Sequence, residues 1–165
     1  MSAPRTLQVT TPNDLEIVMV REFDAPRHLV FEALRTPALI RQWLLGPPGW
    51  TMPVCEFPDR VGEPYRYVWR NQHGTEMGMG GVVLEMVAPE RIVTTERFDD
   101  AWYPGEAVDT MVLVERAGRT TLTMTVRYES KAARDIALQS GMETGMEAGY
   151  ERLDQLLAGM AAGRR

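Results

Sequence analysis

The sequence predicts an α+β fold: a curved antiparallel sheet of about seven strands, two short helices after the first strand, and a long C-terminal helix packed over the sheet. Three observations predict it. Strand-like segments follow one another almost without interruption from Trp50 to Glu129. Most connections between them, such as Gln72-His73-Gly74 and Ala117-Gly118, are too short to hold a crossover helix, so neighbours pair antiparallel. The only long element left to cover the apolar face of such a sheet is the segment from Ser130 to Met160.

The first strand is Leu15 to Phe23, with Leu15, Ile17, Met19 and Phe23 on one face. A helix begins near Pro26 and carries the apolar stripe Leu29, Val30, Phe31 and Leu34; Thr36-Pro37 starts a second, with Leu39, Ile40, Trp43 and Leu44. Gly46-Pro47-Pro48-Gly49 stops it. Six further strands follow: Thr51 to Phe57, Glu63 to Arg70, Glu76 to Val87, Arg91 to Phe98, Ala107 to Arg116 and Arg119 to Tyr128. Tyr65, Tyr67 and Trp69 share one face of their strand, while Arg66, Val68 and Arg70 share the other; Leu122, Met124, Val126 and Tyr128 oppose three threonines. Met77-Gly78-Met79-Gly80-Gly81 weakens its strand unless it marks a bend or a close approach. The longer loop Asp99 to Glu106 holds Trp102 and Tyr103 and is read either as a rim over a cavity mouth or as aromatics folded onto the core.

In the C-terminal segment, Leu138, Met142, Met146, Tyr150, Leu153, Leu156 and Leu157 fall on one arc at about 100° per residue. Gly141, Gly145 and Gly149 run along its edge. Glycine inside a helix is less favourable than alanine by about 1 kcal/mol, so the row signals a close approach to the backbone or space left open. Residues 1–14 are expected as a flexible leader, 15–160 as one domain and 161–165 as a disordered tail.

These elements and their motifs resemble the helix-grip fold of the START-like (SRPBCC) superfamily, shared by START, birch-pollen-allergen and polyketide-cyclase proteins. Within it the chain is similar to the branch named for the activator of the heat-shock-protein-90 ATPase. The residues that carry the likeness are Asp24-Ala25-Pro26 with Val30-Phe31, Trp43 with Gly46-Pro47, Gly81 to Glu85, Pro89 to Val93, Gly141-Met142-Glu143 and Gly149 to Leu153. The resemblance implies a hydrophobic cavity between sheet and helix that binds lipid-, aromatic- or polyketide-like molecules. It also brings two alternatives, a cyclase or dehydratase using the same cavity and a chaperone-associated interaction module.

Composition excludes other classes. A net charge of -5 with no basic run does not suit nucleic-acid binding, and no apolar run approaches the ~20 residues of a membrane span. One cysteine, Cys55, excludes an internal disulfide and fits a cytoplasmic location. His28 and His73 are read as solvated, no motif marks a catalytic residue, and neither a metal nor another cofactor is expected. The 11 methionines suit an adaptable apolar site. The candidate ligand-binding residues are Trp43, Tyr65, Tyr67, Trp69, Met79, Glu96, Phe98, Met111, Met124, Met142 and Met146. Among the strand charges Arg66, Arg70, Glu76, Glu96, Arg97 and Asp109, Glu96 is the leading inward-facing anchor and Arg70 the next. The partner expected is a small hydrophobic molecule, with a homodimer and a chaperone contact kept open.

Overall fold

The computed structural model describes residues 6–163. In chain order the elements are β1 (Gln8–Thr10), β2 (Glu16–Phe23), α1 (Arg27–Arg35), α2 (Pro37–Trp43), β3 (Trp50–Glu56), β4 (Pro64–Asn71), β5 (Glu76–Val87), β6 (Arg91–Phe98), β7 (Ala107–Arg116), β8 (Arg119–Arg127), α3 (Lys131–Leu138) and α4 (Met142–Ala162). The strands form one sheet in the order β1-β2-β8-β7-β6-β5-β4-β3, with every neighbouring pair antiparallel. The α+β architecture follows the sequence, with eight strands rather than seven.

The added strand lies inside the expected leader. Gln8-Val9-Thr10 pairs with Val20 to Val18 of β2, and Leu7 is buried. The Leu7 N–H donates to Glu147 Oε2 at 2.6 Å, which ties this edge to α4. A three-residue strand with a single apolar side chain carries no readable period. Residues 1–5 of the leader fall outside the described residues.

The C-terminal segment is two helices rather than one. Ser130 caps α3, its Oγ accepting from Ala133 N–H at 3.1 Å, and α3 ends after Leu138. Gly141 then takes φ +84° as the residue preceding α4, a left-handed conformation that glycine adopts without strain. The first member of the glycine row is therefore the break between helices. Leu138, expected on the apolar arc, is 41% exposed because it precedes that break. At the other end α4 runs to Ala162, two residues into the expected tail, and 164–165 lie outside the described residues.

The core settles α4 onto α1 and α2 as well as over the sheet. Tyr150, Leu153 and Leu157 are its deeply buried side chains. The Tyr150 ring stacks on Trp43 at 5.8 Å and meets Phe23 of β2 edge-on at 5.4 Å. Gly149 allows this approach: a Cβ there would stand 3.1 Å from the Trp43 carbonyl oxygen. Gly145 is looser, its nearest neighbours at 3.8 and 3.9 Å. Polar contacts fix the same seat. Arg21 of β2 donates from Nη2 to Asp154 Oδ2 at 2.7 Å and its Nε lies 3.7 Å from Glu147 Oε1, while Arg152 donates to the Gly46 carbonyl at 2.7 Å.

The glycine run of β5 also has a steric cause. A Cβ on Gly81 would lie 2.1 Å from the Thr95 carbonyl oxygen of β6. Tyr65, paired with Gly81 in register, crosses this bare position and donates its hydroxyl to the same carbonyl at 2.5 Å. The bulge in the β5-β6 ladder falls just beyond, between Val83 and Glu85.

These contacts separate the two helical glycines. Gly145→Ala is expected to raise stability by about 0.5–1 kcal/mol through helix propensity, whereas Gly149→Leu is expected to lower it by about 1–3 kcal/mol through overpacking against Trp43. Urea unfolding of both variants checks this. Equal tolerance at the two positions would contradict the close seating of α4.

Candidate functional site

Strand alternation and register place three transverse rows of side chains on the inward face of the sheet. One row runs through Met19, Met124, Met111, Ile92 and Met86 of β2, β8, β7, β6 and β5. The next contains Val126, Asp109, Thr94 and Val83, and the third contains Tyr128, Ala107 and Glu96. Ile17, Ile92, Leu113, Leu122 and Val126 are sealed. Met111 and Met124, although central in the sheet, remain only partly buried. Met142 and Met146 of α4 are likewise partly buried against the same cluster, and the Tyr150 hydroxyl lies 3.9 Å from Met124 Sδ.

The sequence candidates divide between two clusters. Tyr65, Tyr67, Trp69 and Met79 are buried with Ile40, Met52, Cys55 and Val83. The Trp69 indole donates to the Leu44 carbonyl at 2.7 Å. Trp43 is also core: its indole donates to the Ala33 carbonyl at 2.9 Å beneath Tyr150. Met111, Met124, Met142 and Met146 gather around the larger cluster, and Phe98 borders both. Five of the candidates, Trp43, Tyr65, Tyr67, Trp69 and Met79, therefore build walls, and the partly accessible ones form a smaller surface among them.

Two shallow depressions of about 350 and 560 Å³ lie elsewhere on the molecule. The smaller is lined by Leu15, Glu106, Val108, Arg127, Tyr128 and Glu129. The larger is bounded by Val54, Glu56, Pro64, Tyr65, Arg66 and Val68 on edge strand β3 and its neighbour. Neither is lined by the inward methionines.

Polar chemistry concentrates at one end of the inward face. Asp109, 4% exposed, sits between Thr94 and Val126 in register, and Glu96 reaches it diagonally from β6. Glu96 Oε2 accepts from the Tyr103 hydroxyl at 2.6 Å. Asp109 Oδ1 has no donor. Burial, and secondarily the adjacent Glu96 carboxyl, hold Asp109 well above the usual carboxylate range. Burial followed by the same carboxyls also raises the hydroxyl pKa values of Tyr65, Tyr103 and Tyr128, which therefore stay protonated as hydrogen-bond donors. The loop after β6 folds inward: Trp102 meets Tyr103 edge-on at 4.7 Å and Phe98 at 5.4 Å, and Tyr103 meets Tyr128 at 5.1 Å. Of the two readings of this loop, the folded-back one holds.

Sequence alternation identifies Glu96 as inward, as found. Asp109 was legible by the same test, sharing its strand face with Ala107, Met111 and Leu113, and is more deeply buried than Glu96. Arg70 is corrected: it lies on the outward face, exposed, and pairs with Glu76 across the β4-β5 ladder. Arg66 makes a similar exposed pair with Asp99 at 2.5 Å. His28 and His73 are exposed. Burial pushes the Cys55 thiol up to about 11, leaving it without thiolate reactivity at neutral pH. Among the described residues no cluster of three or more His, Cys, Asp or Glu could hold a metal ion, and no helix is long and apolar enough to cross a membrane.

The carboxyl pair gives a signed pH dependence. With its folded pKa above its unfolded value of about 3.9, Asp109 keeps a proton in the folded chain that the unfolded chain releases, so its contribution to stability declines as pH rises through that interval. In Asp109→Asn the amide replaces the protonated acid as donor to Glu96 and removes the decline. Urea unfolding from pH 4 to neutrality is expected to show wild type losing stability relative to Asp109→Asn. Parallel curves would contradict the assignment.

Comparison with known proteins agrees with this architecture. The family model for activator of Hsp90 ATPase homolog 1-like proteins matches residues 24–158. A crystal structure of a Rhodobacter sphaeroides protein is 33% identical, covers 93% of this chain and 99% of its own, and superposes with a TM-score of 0.88. A Chromobacterium violaceum protein is 29% identical over 89% of this chain and 98% of its own, with a TM-score of 0.74. The AHSA1 protein of Silicibacter pomeroyi shares the fold at 23% identity, with 87% and 97% coverage and a TM-score of 0.71. No protein of curated function matches. From the first turn after β2 to the last turns of α4, the matched span carries strands β3 to β8, Met111, Met124, Met142 and Met146, and the carboxyl pair, and the chain belongs to the activator of Hsp90 ATPase homolog 1-like family.

Proposed function

We propose that the chain binds a small hydrophobic molecule between the sheet and α4 as a non-catalytic carrier or sensor in the cytoplasm. The observation that carries this reading is the incomplete burial of Met111 and Met124 in the middle of the inward face, with Met142 and Met146 of α4 also partly accessible. In a sheet covered only for stability, central inward positions are sealed, as Ile92 and Leu122 are. Unbranched thioethers change rotamer at little cost, so these four side chains can move aside for an apolar guest. The buried aromatics Trp43, Tyr65, Tyr67 and Trp69 supply a rigid wall behind them.

Buried Asp109, beside half-buried Glu96, favours a second reading, an enzyme of the cyclase or dehydratase kind in which the protonated carboxyl acts as general acid. The chaperone-contact reading rests on the family resemblance and has less support, since Tyr103 of the loop after β6 is turned inward at 3% exposure.

Native mass spectrometry of freshly purified protein, followed by titration with a panel of lipophilic probes, tests the proposal. Met124→Trp and Met146→Trp, which fill the space from opposite sides, are expected to weaken probe binding about tenfold or more. Val68→Trp, in the outward depression, is expected to leave it unchanged. Loss of binding in Val68→Trp alone would move the site to the outer face, and conversion of a probe to product would favour the enzyme.

A further inference from the structure

We infer that the polar end of the ligand is an organic ammonium group, seated between the Asp109-Glu96 carboxyl pair and the partly exposed rings of Phe98 and Trp102. This rests on the ligand-binding reading above and names its chemical class. Asp109 is 4% exposed on the inward face, and its Oδ1 has no hydrogen-bond partner, although a buried acceptor is normally satisfied. Glu96, beside it, receives only neutral donors, the Tyr103 hydroxyl at 2.6 Å and the protonated Asp109 carboxyl.

Among the described residues no basic side chain forms an ion pair with either carboxyl. Arg21, the other buried charge on this face, is committed to Asp154 and Glu147. Arg66 pairs with Asp99, and Arg97 is exposed on the opposite side of β6 from Glu96. The pair therefore has acceptor capacity and negative charge without a protein counter-charge.

Three kinds of ligand head can be compared at this place. A carboxylate would add a second negative charge beside the one the pair carries and is repelled. A hydroxyl could donate to Asp109 Oδ1 but would leave the charge unmatched. An ammonium group donates to more than one carboxyl oxygen and supplies the missing charge. Its flank suits a cation as well: Phe98 and Trp102 are partly accessible, and Tyr103 and Tyr128 continue the aromatic wall behind them. The tail of the ligand would then extend along the row of Met111 and Met124, which follows Asp109 along β7 and across to β8. On binding, the Asp109 proton is released to solvent, because the incoming cation takes its place between the two carboxyls.

Calorimetric titration of the full chain with octylamine, octanol and octanoate at neutral pH tests this, since the three probes share one tail and differ in the head. Octylammonium is expected to bind about tenfold or more tightly than octanol, and octanoate more weakly than either. Titration in buffers of different ionisation enthalpy is expected to show proton release with octylamine and none with octanol. In Glu96→Gln and Asp109→Asn, each checked for folding by thermal unfolding, the amine-to-alcohol ratio is expected to fall to within about threefold. Equal binding of amine and alcohol to the wild type, or an amine preference that survives both substitutions, would overturn the ammonium assignment while leaving the apolar site standing. Failure of all three probes to bind would overturn the apolar site and this inference together.

Discussion

Tyr150 is gripped by three elements at once: its ring stacks on Trp43 of α2, meets Phe23 of β2 edge-on, and its hydroxyl reaches Met124 of β8. That contact sets the height of α4 above the sheet. It exists because Gly149, one residue earlier, lets the helix backbone come within reach of the Trp43 carbonyl. Raising the helix there would open the inward face along its length; lowering it would require the methionines to be smaller. Arg21 and the Leu7 N–H hold the same helix through Asp154 and Glu147, so short β1 and the first long strand both help fix the lid. A loosely fastened helix would make access to the interior a matter of fluctuation, whereas this one makes it a matter of side-chain movement.

Beneath that helix the interior has two characters. Around Met19, Met86, Met111 and Met124 it is apolar and soft, able to reshape by rotamer change. Around Asp109 it is polar and rigid, with tyrosine hydroxyls and aromatic edges locked by packing. A carboxyl buried beside another carboxyl is unfavourable for stability, and nothing in the fold's packing requires one there: Ile92 and Leu113 show that aliphatic side chains fit neighbouring inward positions. The juxtaposition of an adaptable apolar surface with a fixed polar point is the arrangement expected of a binding site that takes its affinity from one and its orientation from the other.

Much of this was legible in the sequence because strand alternation is a strict rule. The inward face of β4, the inward position of Glu96 and the burial of Tyr150, Leu153 and Leu157 all follow from period alone. The same rule applied to β7 identifies Asp109, and to β4 it places Arg70 outside. Features decided by tertiary contact were not legible. The three residues of β1 have no period of their own and are ordered by β2 and α4. The α3-α4 break depends on the left-handed backbone of Gly141, whereas an identical glycine at 145 continues the helix. Periodicity also cannot tell a wall from a lining: Tyr67 and Met124 both face inward, yet one is sealed and the other accessible, because accessibility depends on what the opposing element places over each.

The proposed ligand contact is formed by the accessible methionines of the inward face. Carbon-13 methyl spectra of the protein labelled at methionine test it directly, since each methyl reports its own surroundings. On titration with octylamine, saturable shifts are expected at Met111, Met124, Met142 and Met146, with Met52 and Met77 unmoved. Shifts confined to other methionines, or the absence of any saturable shift, would contradict it.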